Sequence, residues 1–248
     1  MKLCKADRDG SFSTQATRRR LLDRIANQLH ELGYKHMQAK SLKPKHVEAL
    51  VSLWKDQGLS VGTLKNLLSG LRWWARHVGK PDIIPKDNDA FDIGNRSQVA
   101  KESKAWELKE AQLEKISDPY VRLSLRLQAA FGLRREEAIK FRPNYAIKDD
   151  HIKLKASWTK GGRARTVPIR TDEQRRLLDD VRKLARGGAL IPANKNYVDQ
   201  KIRYDSQVRT AGIKNPHGLR HAYAQRRYEE LTGWKAPVAG GPASKSLR

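Results

Sequence analysis

Four basic side chains stand out in this sequence as able to do chemistry together: Arg134, Lys160, His217 and Arg220. Arg134 follows a Gly132-Leu133 step at the end of an amphipathic segment. Lys160 sits in the turn Thr159-Lys160-Gly161-Gly162-Arg163. His217 and Arg220 belong to His217-Gly218-Leu219-Arg220-His221, at a predicted helix start. A spacing of three puts these two on one helical face, and a helix start also offers backbone N–H groups to an anion. Two guanidiniums, an ammonium and an imidazole converging on one phosphate would form a metal-free phosphoryl-transfer site. The guanidiniums would hold the non-bridging oxygens by forked hydrogen bonds and stabilise transition-state charge. The lysine would protonate a leaving alkoxide, with the histidine as acid or base. Taken singly, each has a plainer reading: a solvated arginine, an exposed loop lysine, or a histidine that with His221 makes half a metal site. No carboxylate-rich or cysteine motif completes such a site, so no metal is expected.

The elements that must position these residues fall into two groups. Residues 1–85 read as a small helical bundle. Ser13 or Thr14 is expected to cap a first helix carrying Leu21, Leu22, Ile25, Leu29 and Leu32, which Gly33 stops. A second helix opens near Pro44, with Val47, Leu50, Val51 and Trp54 on one face. A third begins at Ser60 or Thr63 and buries Leu64, Leu67, Leu68, Leu71 and Trp74; Lys65, Arg72 and Arg76 fall off that stripe. Residues 86–103 are polar and punctuated by Gly94, and read as a linker. From 104 to 248 the pattern is mixed. Helices are predicted over Leu108–Ile116, Tyr120–Phe131, Thr171–Leu184, Tyr197–Thr210 and His217–Leu231. Ile147–Trp158 and Arg165–Ile169 read as paired strands, with Pro168 marking an edge.

The chain has 248 residues and a formal net charge of +24, with basic residues spread along its length. Such a field attracts polyanions, and nucleic acid is the natural partner. Cys4 is the one cysteine, which excludes a disulfide scaffold and a cysteine-rich zinc module. No apolar run approaches the ~18 residues of a membrane span, and the first residues lack the apolar stretch of a secretion signal. A reduced cytoplasmic setting is the default.

Three motifs, in order, resemble the tyrosine recombinase (phage integrase) family. Phe131-Gly132-Leu133-Arg134-Arg135-Glu136-Glu137-Ala138 resembles the family's first-arginine motif. Thr159-Lys160-Gly161-Gly162-Arg163-Ala164-Arg165-Thr166-Val167-Pro168-Ile169 resembles its hairpin lysine before a Val-Pro strand. His217-Gly218-Leu219-Arg220-His221 resembles its His-x-x-Arg box. The resemblance covers almost the whole chain. It implies a mainly α fold with a small antiparallel β-sheet: a helical, SAM-like core-binding domain that clamps DNA, then an α+β catalytic domain. It further implies that Arg134 and Arg220 grip the scissile phosphate, Lys160 protonates the 5′-hydroxyl, and His217 assists proton transfer. Glu137 and His221 would support them, with Lys65, Arg72, Arg163 and Arg165 contacting DNA. The implied function is that of a mobile-element recombinase or integrase, working through a 3′-phosphotyrosyl link without metal or cofactor. Double-stranded DNA at recombination sites, a homotetramer of full-length chains and accessory DNA-bending proteins are the implied partners, at the bacterial nucleoid.

The sequence departs from the family at the nucleophile. The attacking tyrosine is expected some dozens of residues beyond the His-x-x-Arg box, yet no tyrosine follows Tyr228 and the chain ends at Arg248. Tyr223 is expected to pack as a buried aromatic. The chain is therefore expected to be C-terminally incomplete and unable to cleave DNA by itself. A cleavage-deficient DNA-binding remnant or regulator is the alternative within the family, and an unrelated RNA-binding protein the alternative outside it.

Overall fold

The computed structural model describes residues 4, 9–95 and 102–243. The chain divides into two compact units, residues 1–99 and 100–248. Part of the expected linker, 96–101, lies outside the described residues, as do 244–248.

The first unit is built on three helices, α1 (Phe12–Glu31), α2 (Pro44–Asp56) and α3 (Val61–His77). The first starts earlier than the sequence suggested. Ser11, in extended backbone, accepts a hydrogen bond from Thr14 N at 3.2 Å, which leaves Ser13 and Thr14 inside the first turn. Ser60 caps α3 in the same way, accepting from Thr63 N at 3.3 Å. The three apolar stripes meet in one core containing Leu22, Ile25, Leu50, Trp54, Leu68 and Leu71. Within it, Trp54 Nε1 donates to Gln28 Oε1 at 2.9 Å, so both buried polar groups are satisfied. The core extends past residue 85, because Ile84 and Ile93 are both buried in it. Between them, Pro85 O accepts from Arg72 Nη2 and Nε at 2.7 and 3.0 Å, and Asn88 Oδ1 accepts from Nη2 at 3.0 Å.

The second unit is α+β. In chain order it holds α4 (Glu110–Glu114), α5 (Pro119–Phe131), α6 (Arg135–Ile139), α7 (Pro143–Ala146), β1 (His151–Leu154), β2 (Arg165–Pro168), α8 (Asp172–Ala185), α9 (Tyr197–Thr210) and α10 (Gly218–Thr232). The strands pair antiparallel with Ile152 opposite Val167 and Leu154 opposite Arg165. Strand β1 is shorter than predicted: the alternating pattern continues to Trp158, but Ala156–Trp158 closes into a 3-10 turn. The segment at Leu108–Ile116 is helical only over Glu110–Glu114, and the short helices α6 and α7 carried no clear apolar period.

Helix α5 organises this unit because it is buried on two sides. Leu123, Leu127 and Phe131 enter one core with β1, β2 and α8, while Val121 and Leu125 enter a second with α9 and the start of α10. Asp118 caps it, accepting from Tyr120 N at 2.9 Å and Val121 N at 3.2 Å. Among the described residues no helix is long and apolar enough to cross a membrane.

Replacing Trp54 with Phe removes the donor to Gln28 and strands a buried amide oxygen. The expected loss is about 1–3 kcal/mol, read as a lower midpoint in urea unfolding followed by far-UV circular dichroism. An unchanged midpoint would show that the pair contributes nothing.

Candidate active site

The site begins at the turn that ends α5. Gly132 is left-handed there, with φ of +61°, and a Cβ on it would lie 2.4 Å from Tyr223 Cδ1. Both the backbone conformation and the tyrosine ring therefore demand glycine. The Gly132 carbonyl accepts a hydrogen bond from Arg220 Nη1 on α10. Two residues on, Arg134 adopts extended backbone and caps α6. The Gly-Leu-Arg step thus places one arginine and restrains the other.

Glu137, one turn into α6, is fully buried. Its Oε2 accepts from Arg134 N at 2.8 Å and from Arg165 Nη2 at 2.7 Å, and its Oε1 accepts from Arg134 Nη1 at 2.9 Å. Burial alone would push this carboxyl up. The Arg134 backbone N–H and the two guanidiniums outweigh it and hold the group below its ordinary value. Glu137 is consequently an ionised carboxylate at neutral pH, shared by two arginines from different elements.

Arg220 meets the same cluster from α10. Burial, then the positive charges of Arg165 and Arg134, lower its affinity for its proton. Two guanidiniums bond the one carboxylate and the third lies within its field, a local excess of positive charge that a bound anion would relieve. His217, just before α10, is also lowered from 6.5, by burial and by His221, Arg220 and Arg134. It is neutral at pH 7, with its ring edge-on to that of His221 at a centroid distance of 5.2 Å. Gly218 follows because the chain at Lys104–Trp106 runs close over the start of α10: a Cβ would lie 2.7 Å from both Lys104 O and Trp106 Cβ.

The geometry brings Arg134, Glu137, Arg220 and His217 together and adds Arg165, which the sequence reading had placed among the DNA contacts. The signal was present in the strand period: Arg165 lies two residues from buried Val167, so both side chains face inward. Lys160 stands at the exposed tip of the β1–β2 connection. That turn is closed by Thr159 Oγ1, which donates to Arg163 O at 2.6 Å, and by Gly161 and Gly162 at φ of +85° and +65°. Arg163 is exposed beside it. In the first unit, Lys65 donates to Asn95 Oδ1 at 3.2 Å, and the Arg72 guanidinium is occupied by Pro85 O, Asp87 O and Asn88 Oδ1. Tyr223 packs against the core that contains Phe131 and Leu133. The described residues contain no cluster of three or more metal-ligating side chains.

Glu137→Gln removes the charge that both arginines share, and breaking a buried pair of this kind costs about 3–5 kcal/mol. Because the folded pKa of Glu137 lies below the unfolded value near 4.5, its stabilisation is fully present above that pH. It is lost as pH falls through the folded pKa. The gap in unfolding free energy between wild type and E137Q is expected to be largest near pH 7 and to shrink below about pH 4.5. A gap independent of pH would refute the charge-based account.

Comparison with known proteins agrees with this arrangement. A phage integrase N-terminal family model matches residues 1–84, and an integrase family model matches residues 93–226. No curated protein matches the chain by sequence. Among solved structures, a lambda integrase dimer bound to a COC′ core site is similar at 16% identity and a TM-score of 0.61, covering 92% of this chain and 67% of that one. The XerH site-specific recombinase bound to a palindromic difH substrate gives 20% identity and a TM-score of 0.59, covering 93% and 73%. The Tn1549 transposon integrase in complex with circular intermediate DNA gives 17% and 0.57, covering 99% and 91%. At these identities the likeness is one of fold. The family models, which span most of the chain and include every residue of the arginine cluster, establish that it belongs to the phage integrase family of site-specific tyrosine recombinases.

Proposed function

We propose that the chain binds duplex DNA at a recombination site of a mobile element and grips the scissile phosphate between Arg134 and Arg220. The observation that carries this reading is the cluster of three guanidiniums around one buried carboxylate, with a neutral imidazole beside it. Arg134 and Arg220 would bond the non-bridging oxygens, whose charge grows in the transition state. Lys160, on a glycine-bearing turn, would deliver a proton to the departing 5′-hydroxyl. Neutral His217 would accept or share the proton of the attacking hydroxyl. Glu137 fixes the direction of Arg134, and His221 packs against His217. In the complete reaction a tyrosine hydroxyl attacks and a 3′-phosphotyrosyl link preserves the bond energy for rejoining, so neither metal nor high-energy cofactor is required. The net charge of +24 supplies long-range attraction, with half-buried Lys65 and exposed Arg163 as contacts.

Chemistry at the phosphate needs a nucleophile, and Tyr223 is held in packing against Gly132. This supports, as a second reading beside the recombinase itself, a binding form or regulator that holds DNA without cutting it. The lambda integrase dimer and tetramer bound to DNA suggest assembly of two to four copies on DNA. Accessory DNA-bending proteins would bring distant sites together, with the nucleoid as the corresponding place of action.

Fluorescence anisotropy with a labelled duplex tests this. Arg134→Ala with Arg220→Ala is expected to weaken binding at least tenfold more than K153A with K183A, a control that removes two exposed charges. Equal losses, or tighter binding to single-stranded RNA, would reject the phosphate clamp. On a nicked duplex that traps covalent products, binding without an adduct would favour the second reading. An adduct would map the attacking tyrosine and replace the binding-only form with an active enzyme.

A further inference from the structure

Two cavities of about 390 Å³ open on the second unit, and their charge states differ. The first lies between α5, α8 and α10. Three of its four cations already have partners: Arg126 pairs with Asp180 at 3.2 Å, Arg226 donates to Ala129 O at 3.0 Å, and Arg227 pairs with Glu230; the fourth, Arg170, is exposed. The second is lined by Lys140, Arg142, Tyr145, Lys155, Trp158 and Tyr197. Here Arg142 and Lys155 are exposed, and neither forms an ion pair among the described residues. Lys140 is shared between Glu136, at 2.5 Å, and the face of the Tyr197 ring, at 4.5 Å. Tyr145 is 38% exposed and meets the largely buried Trp158 edge-on, with centroids 5.5 Å apart.

Unpaired cations beside an exposed aromatic ring select a ligand that offers both an anion and a flat π-face. A simple anion would leave the rings unused, and an apolar molecule would leave the cations unpaired. A nucleotide satisfies both, its base stacked on Tyr145 and its phosphate held by Arg142 and Lys155. A base inside a duplex already has both faces stacked, so the occupant must be unstacked.

We propose that this cavity receives one unstacked nucleotide of the bound DNA, which rests on the DNA-binding function proposed above. Helix α6 links the cavity to the proposed phosphate clamp: Arg134 caps one end of that helix and Lys140, which lines the cavity, the other, roughly 9 Å apart along the axis at about 1.5 Å per residue.

The test compares a fully paired duplex with duplexes carrying a single extrahelical adenine at successive positions, by anisotropy at fixed salt. Wild type is expected to bind the best-placed bulge about tenfold more tightly than the paired duplex. Tyr145→Ala should abolish that preference without weakening binding to the paired duplex, and Tyr145→Phe, which keeps the ring, should retain it. R142A with K155A should also reduce the preference. Equal binding of all duplexes by wild type, or a preference that survives Tyr145→Ala, overturns the proposal. So does Tyr145-dependent binding of an acidic, phenylalanine-rich peptide without any bulge preference. If neither duplex binds, the DNA-binding function fails instead. Titration with deoxyadenosine 5′-monophosphate, followed by NMR saturation transfer, then decides the cavity: Tyr145-dependent binding supports a free nucleotide as its occupant, and no binding rejects the site.

Discussion

The second unit depends on one buried negative charge. A carboxylate removed from water is unfavourable unless it is paired and fully hydrogen-bonded. Glu137 meets that requirement with a backbone N–H and two guanidiniums. The same bonds fix the cap of α6, direct Arg134 and tie strand β2 to α6 through Arg165. None of the three elements can shift alone without exposing the charge or leaving it unpaired. The pair therefore acts as a joint between the α5–α6 turn and the hairpin, and the hairpin is the element that carries Lys160. Arg220 joins by another route, through the Gly132 carbonyl on the same turn. A short stretch of chain, 132–137, consequently sets the geometry of arginines contributed by three separate elements.

This arrangement explains why the cluster is electrostatically unsatisfied as well as rigid. A single carboxylate cannot neutralise three guanidiniums, and the proton affinities of Arg220 and His217 are lowered first by burial and then by that excess. Holding like charges together costs free energy, which packing around α5 must offset. The return is a site whose charges are already oriented before an anion arrives, so little reorganisation is needed when one does. His217 is kept neutral by burial and by the same field, and it is available as a proton acceptor at neutral pH.

Much of this was legible in the sequence, for identifiable reasons. The helices of the first unit, α5, α8, α9 and α10 all have strong periods or plain caps, and their predicted bounds fall close to those found. Arg134, His217 and Arg220 were legible because glycine steps and helix starts mark them. The starting cap of α1 was misplaced because Ser11, Ser13 and Thr14 all have capping side chains, and the sequence does not say which adopts extended backbone. Strand β1 was drawn too long because a 3-10 turn preserves apolar alternation for a few residues. The short helices α6 and α7 are too brief to show a period, and tertiary contacts hold them. The role of Arg165 was the largest omission: charge suggested an outward residue, while the strand period pointed inward.

Arginine shows why residue type alone does not assign function in a chain this basic. Arg72 and Arg165 both lie on elements expected to face DNA, and each meets a different partner. Arg72 finds free backbone carbonyls at 85–87 and an amide oxygen at 88, and it fastens an extended segment onto α3. Arg165 finds a buried carboxylate and becomes part of the site's framework. The planar, five-donor guanidinium is suited to both tasks because it bonds several acceptors at once while remaining charged. In a protein with 51 Lys and Arg residues, the N–H donors left without protein acceptors, including those on a guanidinium bonded at only one nitrogen, are the ones available to phosphate. The distinction between guanidiniums whose donors are all engaged and those with donors to spare, more than their number, is what would separate the parts of this surface that hold the fold from those that bind an anion.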